Sequence, residues 1–114
     1  MMNKVYKIKF PAGYEGTNVE DDNIDTHVIL DTGQVFFGTL FTIKNVERLM
    51  AKEKLLYFRA EDMVILKDLE LTTIHQTIDS IIEEEMLSTI FCEIENVEKI
   101  HDMGFREIQT DVII

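Results

Sequence analysis

Cysteine, proline, glycine and long apolar runs are all scarce in this chain, and each scarcity removes a class of protein. One cysteine, Cys92, among 114 residues cannot form an internal disulfide. The small secreted scaffolds stapled by several bridges are therefore excluded, and a reducing cytoplasm is the expected compartment. No apolar run approaches the roughly 20 residues that span a bilayer, so no membrane partner is expected. The opening MMNKVYKIKF alternates lysine with apolar residues and has no hydrophobic core of signal-peptide type. With one proline and five glycines, little of the chain has a disordered composition. No two glycines precede a helix to cradle a phosphate.

Bases are scarce too. Eleven Lys and Arg face 22 Asp and Glu, for a net charge of −11. The imbalance is uneven along the chain. Residues 1–10 carry three lysines and no acid, and residues 11–31 carry six acids and no base. Residues 44–67 are mildly basic, with six bases and four acids, whereas residues 68–114 carry twelve acids and two bases. Such a surface repels nucleic acid and anionic membrane, and attracts basic proteins over a Debye length of about 8–10 Å. Aromatic residues lie on apolar segments rather than among bases, so the nucleic-acid footprint is missing.

What is present is core-forming material. The sequence is 46% hydrophobic and includes seven phenylalanines. A chain of this size buries about two thirds of its surface on folding, enough for one domain over residues 1–114 without metals or disulfides. KVYKIKF alternates as a half-buried strand until Pro11 and Gly13. An acidic loop over 12–25 precedes two β-rich runs, Thr26–Leu30 and Gln34–Thr42, joined through Asp31-Thr32-Gly33 as a hairpin. A three-residue loop with Gly33 in the left-handed region suits this turn better than a two-residue one, because threonine is poor at positive φ. Val28, Leu30, Phe36, Phe37, Leu40 and Phe41 leave both faces apolar, as in a central strand.

Thr42 is placed to cap a helix whose apolar stripe is Ile43, Val46, Leu49 and Met50. A second hairpin is expected from Leu55–Arg59 and Met63–Lys67, turned at Ala60-Glu61-Asp62. Leu71, Ile74, Ile78, Ile81, Ile82 and Met86 then mark the longest helix, about 70–86. Ser88–Ile94 reads as a strand that buries an inert Cys92. Asn96 caps a short helix with Val97, Ile100 and Met103 inward, stopped at Gly104. Phe105–Ile108 or Val112-Ile113-Ile114 closes the sheet. The sum is an α+β fold, a mostly antiparallel sheet of about five to six strands packed by two to three helices.

Candidate chemistry is thin. Ile29-Leu30-Asp31-Thr32-Gly33 resembles the catalytic stretch of retroviral-type aspartic proteases, which would need two copies of Asp31 sharing a proton. The family's small residue after this motif is replaced by Gln34, and no second glycine motif or glycine-rich flap follows. A hairpin turn is the better reading. Asp21-Asp22-Asn23-Ile24-Asp25 opens like a calcium loop, but Thr26 and Thr32 stand where glycine and glutamate are required. His75 and Asp79 are one helical turn apart and could share a metal, yet His27 and His101 lie in other elements. Surface or boundary positions are expected for the histidines. No metal or other cofactor is expected.

Two non-catalytic features stand out. Glu83, Glu84 and Glu85 gather at the carboxyl end of the long helix, where the macrodipole disfavours negative charge. With Glu93, Glu95 and Glu98 they form a candidate acidic patch for a basic partner. The terminal Val112-Ile113-Ile114 offers either a buried strand or a pairing edge in a homodimer.

The run DTGQVFFGTLFTIKNVERLM, followed by EDMVILKDL, resembles a group of small acidic bacterial proteins, immunity-like in character. The likeness spans roughly residues 26–90. It implies a bacterial or phage accessory protein and no known activity. The expectation is therefore a non-enzymatic inhibitor or immunity-type protein that docks on a basic protein surface. A dimeric protease using Asp31, or a structural or regulatory homodimer, is the alternative.

Overall fold

The structure is a computed structural model that describes residues 6–11, 14 and 19–94, together with the backbone of 105–106. Six strands and three helices occur among them: β1 (Tyr6–Pro11), β2 (Asn23–Leu30), β3 (Val35–Thr42), α1 (Ile43–Glu53), β4 (Met63–Leu66), α2 (Leu71–Glu83), α3 (Leu87–Ile90), β5 (Cys92–Ile94) and β6 (Phe105–Arg106). The sheet runs β4-β3-β2-β1-β6, with β5 added to β3 beside β4. Every pairing is antiparallel except β3 with β4. The fold is α+β and mostly antiparallel.

The alternation in β1 places Ile8 and Phe10 in the core, while Lys7 is exposed and Lys9 half-buried. The β2–β3 hairpin pairs Ile29 with Val35 and Val28 with Phe36. Leu30 N–H donates to the Gln34 carbonyl at 2.9 Å, and Gly33 N–H donates to the Leu30 carbonyl at 2.9 Å. This is the three-residue loop. Gly33 sits at φ 93°, in the region that favours glycine.

β3 is the central strand, and its free side is shared by two short partners. Val35–Phe37 pair with β5, and Thr39–Thr42 pair with β4. Gly38 lies at the junction. A Cβ there would come within 2.3 Å of the Phe91 ring, which is buried immediately before β5. Any side chain at Gly38 would force the Phe91 ring to move.

One sheet face carries Ile8, Phe10, Val28, Leu30, Phe36, Leu40 and Leu66, packed under Ile74, Ile78, Ile81 and Ile82 of α2 and Leu87 of α3. At about 1.5–3 kcal/mol for each fully buried aliphatic side chain, this layer dominates the stability of the fold. The other face carries a smaller cluster of Ile29, Val35 and Ile94, with His27 and Phe41 also buried.

Four expectations need correction. Leu55–Arg59 is not a strand; β4 instead lies parallel to β3. The stretch from Ile43 to Asp62 makes this compatible, because it exceeds the dozen or so residues that a parallel crossover requires. The long helix ends at Glu83 rather than near Met86, broken where Glu85 turns left-handed at φ 58°. Ser88–Ile94 divides into the short α3 and β5, so Cys92 begins a strand and is exposed, not buried. The helix with Asn96, Val97, Ile100, Met103 and Gly104, and the terminal Val112–Ile114, lie outside the described residues.

The fourth correction concerns α1. Its expected apolar stripe does not reach the core. Ile43 is exposed, Val46, Leu49 and Met50 are only half-buried, and the one buried residue of the helix is Asn45. The Thr42 cap is present: its hydroxyl accepts from Asn45 N–H at 3.1 Å. The helix ends at Lys54 in the left-handed region, where Leu55 N–H donates to the Met50 carbonyl.

Candidate functional site

The calcium-like segment Asp21–Asp25 is occupied with tethering α1. Asn45 Nδ2 donates to Asp21 at 3.4 Å, and Asn23 Nδ2 donates to Asn45 Oδ1 at 2.8 Å. Arg48 Nε lies 3.0 Å from both Asp21 oxygens. Asp22 N–H donates to the Thr42 hydroxyl, and Asp25 accepts from Thr39. Apart from the Asp25–Thr39 bond, which lies within the sheet, these contacts tie Thr42, Asn45 and Arg48 to the acidic segment, at the start of a helix that has little apolar anchorage. Among the described residues, no group of three or more His, Cys, Asp and Glu side chains is arranged to hold a metal.

Asp31 and Thr32 are exposed at the hairpin tip. The Thr32 hydroxyl accepts from Gln34 N–H at 3.3 Å and donates to Gln34 Oε1, closing the turn on itself. Asp31-Thr32-Gly33 thus sets the register between β2 and β3.

His75 and Asp79 do meet a third group, one that sequence spacing alone did not indicate. Tyr6 of β1 stacks its ring near His75, with centroids 6.1 Å apart. Its hydroxyl donates to Asp79 Oδ1 at 2.5 Å and also lies 3.3 Å from the His75 carbonyl. Burial, then the hydrogen bond and charge of Asp79, push the Tyr6 phenol far above its ordinary range. Burial holds the His75 imidazole below its usual range, although Asp79 opposes this. A protonated phenol beside a neutral imidazole is a clasp between β1 and α2, not an activated nucleophile. His27 departs from the expected boundary position: it is buried on β2 with its ring edge-on to Phe37 at 5.9 Å. An inward position in the middle of a central strand accounts for this. His101 lies outside the described residues.

The acidic residues are only partly brought together. Glu83, Glu84 and Glu85 follow one another around the end of α2, and all three are exposed. The last turn of α2 contains no base, and the two ion pairs among the described residues, Lys44–Glu20 and Arg48–Asp21, involve none of the three. Glu93 stands on β5 opposite Phe36, where it accepts from Gln34 Nε2 at 3.3 Å. It therefore sits beside the hairpin tip. Glu95 and Glu98 lie outside the described residues.

A further exposed feature follows α1. Leu56 is 96% and Tyr57 67% exposed, next to the exposed Leu55. Phe58 turns back to meet Phe41, with ring centroids 5.2 Å apart. The signal in the sequence was available but misleading, since an apolar run of this kind also reads as a strand.

No protein-family model, no curated protein and no solved structure matches this chain. Function has to be argued from the geometry.

Proposed function

We propose that this chain is a non-enzymatic binding protein of inhibitor or immunity type, which docks on a basic protein surface through the acidic end of α2. The observation that carries the reading is the exposed run Glu83-Glu84-Glu85 at the negative pole of a helix dipole, with no base in the last turn. Folding gains nothing from that placement, since like charge at a helix C-terminus is unfavourable. α1, by contrast, carries a base, Lys52, beside Glu53 in its last turn. A net charge of −11 adds long-range attraction toward a cationic partner. Complementary charge of this kind favours fast, salt-sensitive association.

The test compares wild type with a variant in which Glu83, Glu84 and Glu85 are all glutamine. A basic partner recovered from the native cell should bind the variant more weakly, by about tenfold if each lost charge pair contributes a few tenths of a kcal/mol to one kcal/mol. The variant itself should be as stable as wild type or slightly more so. Equal binding by the two proteins would move the docking surface elsewhere.

A further inference from the structure

From β2 to β5, the links between elements are tied to the fold by backbone hydrogen bonds, with one exception. Gly33 N–H donates to the Leu30 carbonyl at the hairpin tip, and Glu84, Glu85 and Met86 each donate to a carbonyl of α2. Leu69 N–H donates to the Val19 carbonyl, and the Leu69 side chain is buried. Phe91 N–H donates to the Leu87 carbonyl. The exception is the link from α1 to β4. Leu55 N–H donates to the Met50 carbonyl, and the next bonded group is the Asp62 carbonyl, which accepts from Thr39. Among the described residues, none of positions 56–61 makes a hydrogen bond. The side chains are as open as the backbone. Leu56 is almost wholly exposed between the exposed Leu55 and Tyr57, and Phe58 is the first to turn in, against Phe41.

An endopeptidase pairs with the backbone of an extended substrate, much as an added strand does, while a pocket takes the side chain before the cut bond. A segment with unbonded backbone groups and an open apolar side chain meets both demands without unfolding its surroundings. We propose that the bond between Leu56 and Tyr57 is a site of limited proteolysis, for an endopeptidase whose pocket takes a large apolar side chain, and that the cut leaves a two-piece molecule. Phe58 selects the bond. A cut one residue later would place Phe58 directly after the broken bond, and it would have to leave Phe41 to enter the cleft. Hydrolysis breaks the C–N bond between Leu56 and Tyr57. The water oxygen ends on the Leu56 carboxylate, and both water protons end on the Tyr57 ammonium. The pieces 1–56 and 57–114 stay together. Ile8, Val28 and Phe36 of the first share the main core with Leu66, Ile74 and Ile78 of the second, and β3 remains paired with β4 and β5. The site does not involve Glu83, Glu84 or Glu85, so it and the proposed docking stand or fall independently.

Brief digestion of the native chain with a trace of subtilisin, which accepts large apolar side chains in its pocket, tests the site. Denatured samples are weighed by mass spectrometry, and native samples are sized by gel filtration. Fragments 1–56 and 57–114 should appear before any cut at the hairpin tip or at residues 84–86, and should travel together at the size of one chain. Leu56→Asp puts a charge where the pocket needs an apolar group, and should slow cleavage of this bond at least tenfold. The position is almost wholly exposed, so the change leaves the fold intact, and circular dichroism checks that. A first cut at the hairpin tip or at 84–86 with the Leu56–Tyr57 bond intact would overturn the proposal. So would a Leu56→Asp protein cut at this bond as fast as wild type, or fragments that separate on the column.

Discussion

The two longer helices are attached to the sheet by opposite means. α2 buries Ile74, Ile78, Ile81 and Ile82 in the main core, whereas α1 buries only Asn45. α2 is held along its length by the hydrophobic effect. α1 is held over its first two turns by Thr42, Asn45 and Arg48, which reach the acidic segment around Asp21. The consequence is a molecule with a firm side and a tethered side. Apolar area tolerates imperfect geometry, but a buried amide is stabilising only while its partners are in place. The tethered side is also where the exposed apolar run Leu55–Tyr57 begins.

The difference can be tested from the firm side first. Ile78→Ala removes a fully buried side chain from the middle of the main core, and should cost about 2–5 kcal/mol in denaturant unfolding. Asn45→Ala should cost about 1–3 kcal/mol, because the Asn23 amide loses its acceptor in a partly buried setting and Asp21 is left with Arg48 alone. Its signature is local: amide exchange should rise across α1 and not across α2. An Asn45→Ala protein with uniformly faster exchange would show that the two helices unfold as one unit.

The small second face supplies a pH-dependent contrast. Burial lowers the pKa of His27, with Lys9 acting the same way and Asp25 against it. The unfolded chain therefore binds a proton near the ordinary histidine value of 6.5 that the folded chain resists. More protons bound in the unfolded state means that stability is full above that pH and falls as the pH drops below it. His75 contributes with the same sign. His27→Leu should flatten the decline in Tm between about pH 7 and pH 5.5, a window set by the histidine pKa. The smallest effect belongs to the tethered side. Leu56→Ser should change stability by no more than about 0.5 kcal/mol, since the residue is almost fully exposed. A large loss would reveal a contact made by Leu56 in the folded chain.

How far the sequence was legible follows the same division. α2, the β2–β3 hairpin and the Thr42 cap could be read directly, because periodic isoleucines, a three-residue loop with glycine and an N-cap threonine are local signals. The parallel placement of β4 was not legible. Whether Met63–Leu66 pairs with Leu55–Arg59 or with Thr39–Thr42 depends on competition between a local turn and a distant strand edge. The central strand prevails because it offers a fixed, already paired ladder. Cys92 loses its expected burial for a related reason. Phe91 fills the space that Gly38 leaves at the junction of β4 and β5, so Cys92, the next residue, points away and is exposed. Nothing within Ser88–Ile94 announces that gap. Of the candidate site, the glutamates at the end of α2 were visible from sequence, but the placement of Glu93 beside the hairpin tip required the β3–β5 pairing.

We propose that the carboxylates at the end of α2 serve a partner rather than the fold. The most direct measurement is the association rate with a basic partner recovered from the native cell, for wild type and the Glu83→Gln/Glu84→Gln/Glu85→Gln protein, across a series of salt concentrations. The wild-type rate should fall steeply as salt rises, and the variant should be slower at low salt with a shallower slope. Identical slopes for the two proteins, or a wild-type rate indifferent to salt, would contradict it.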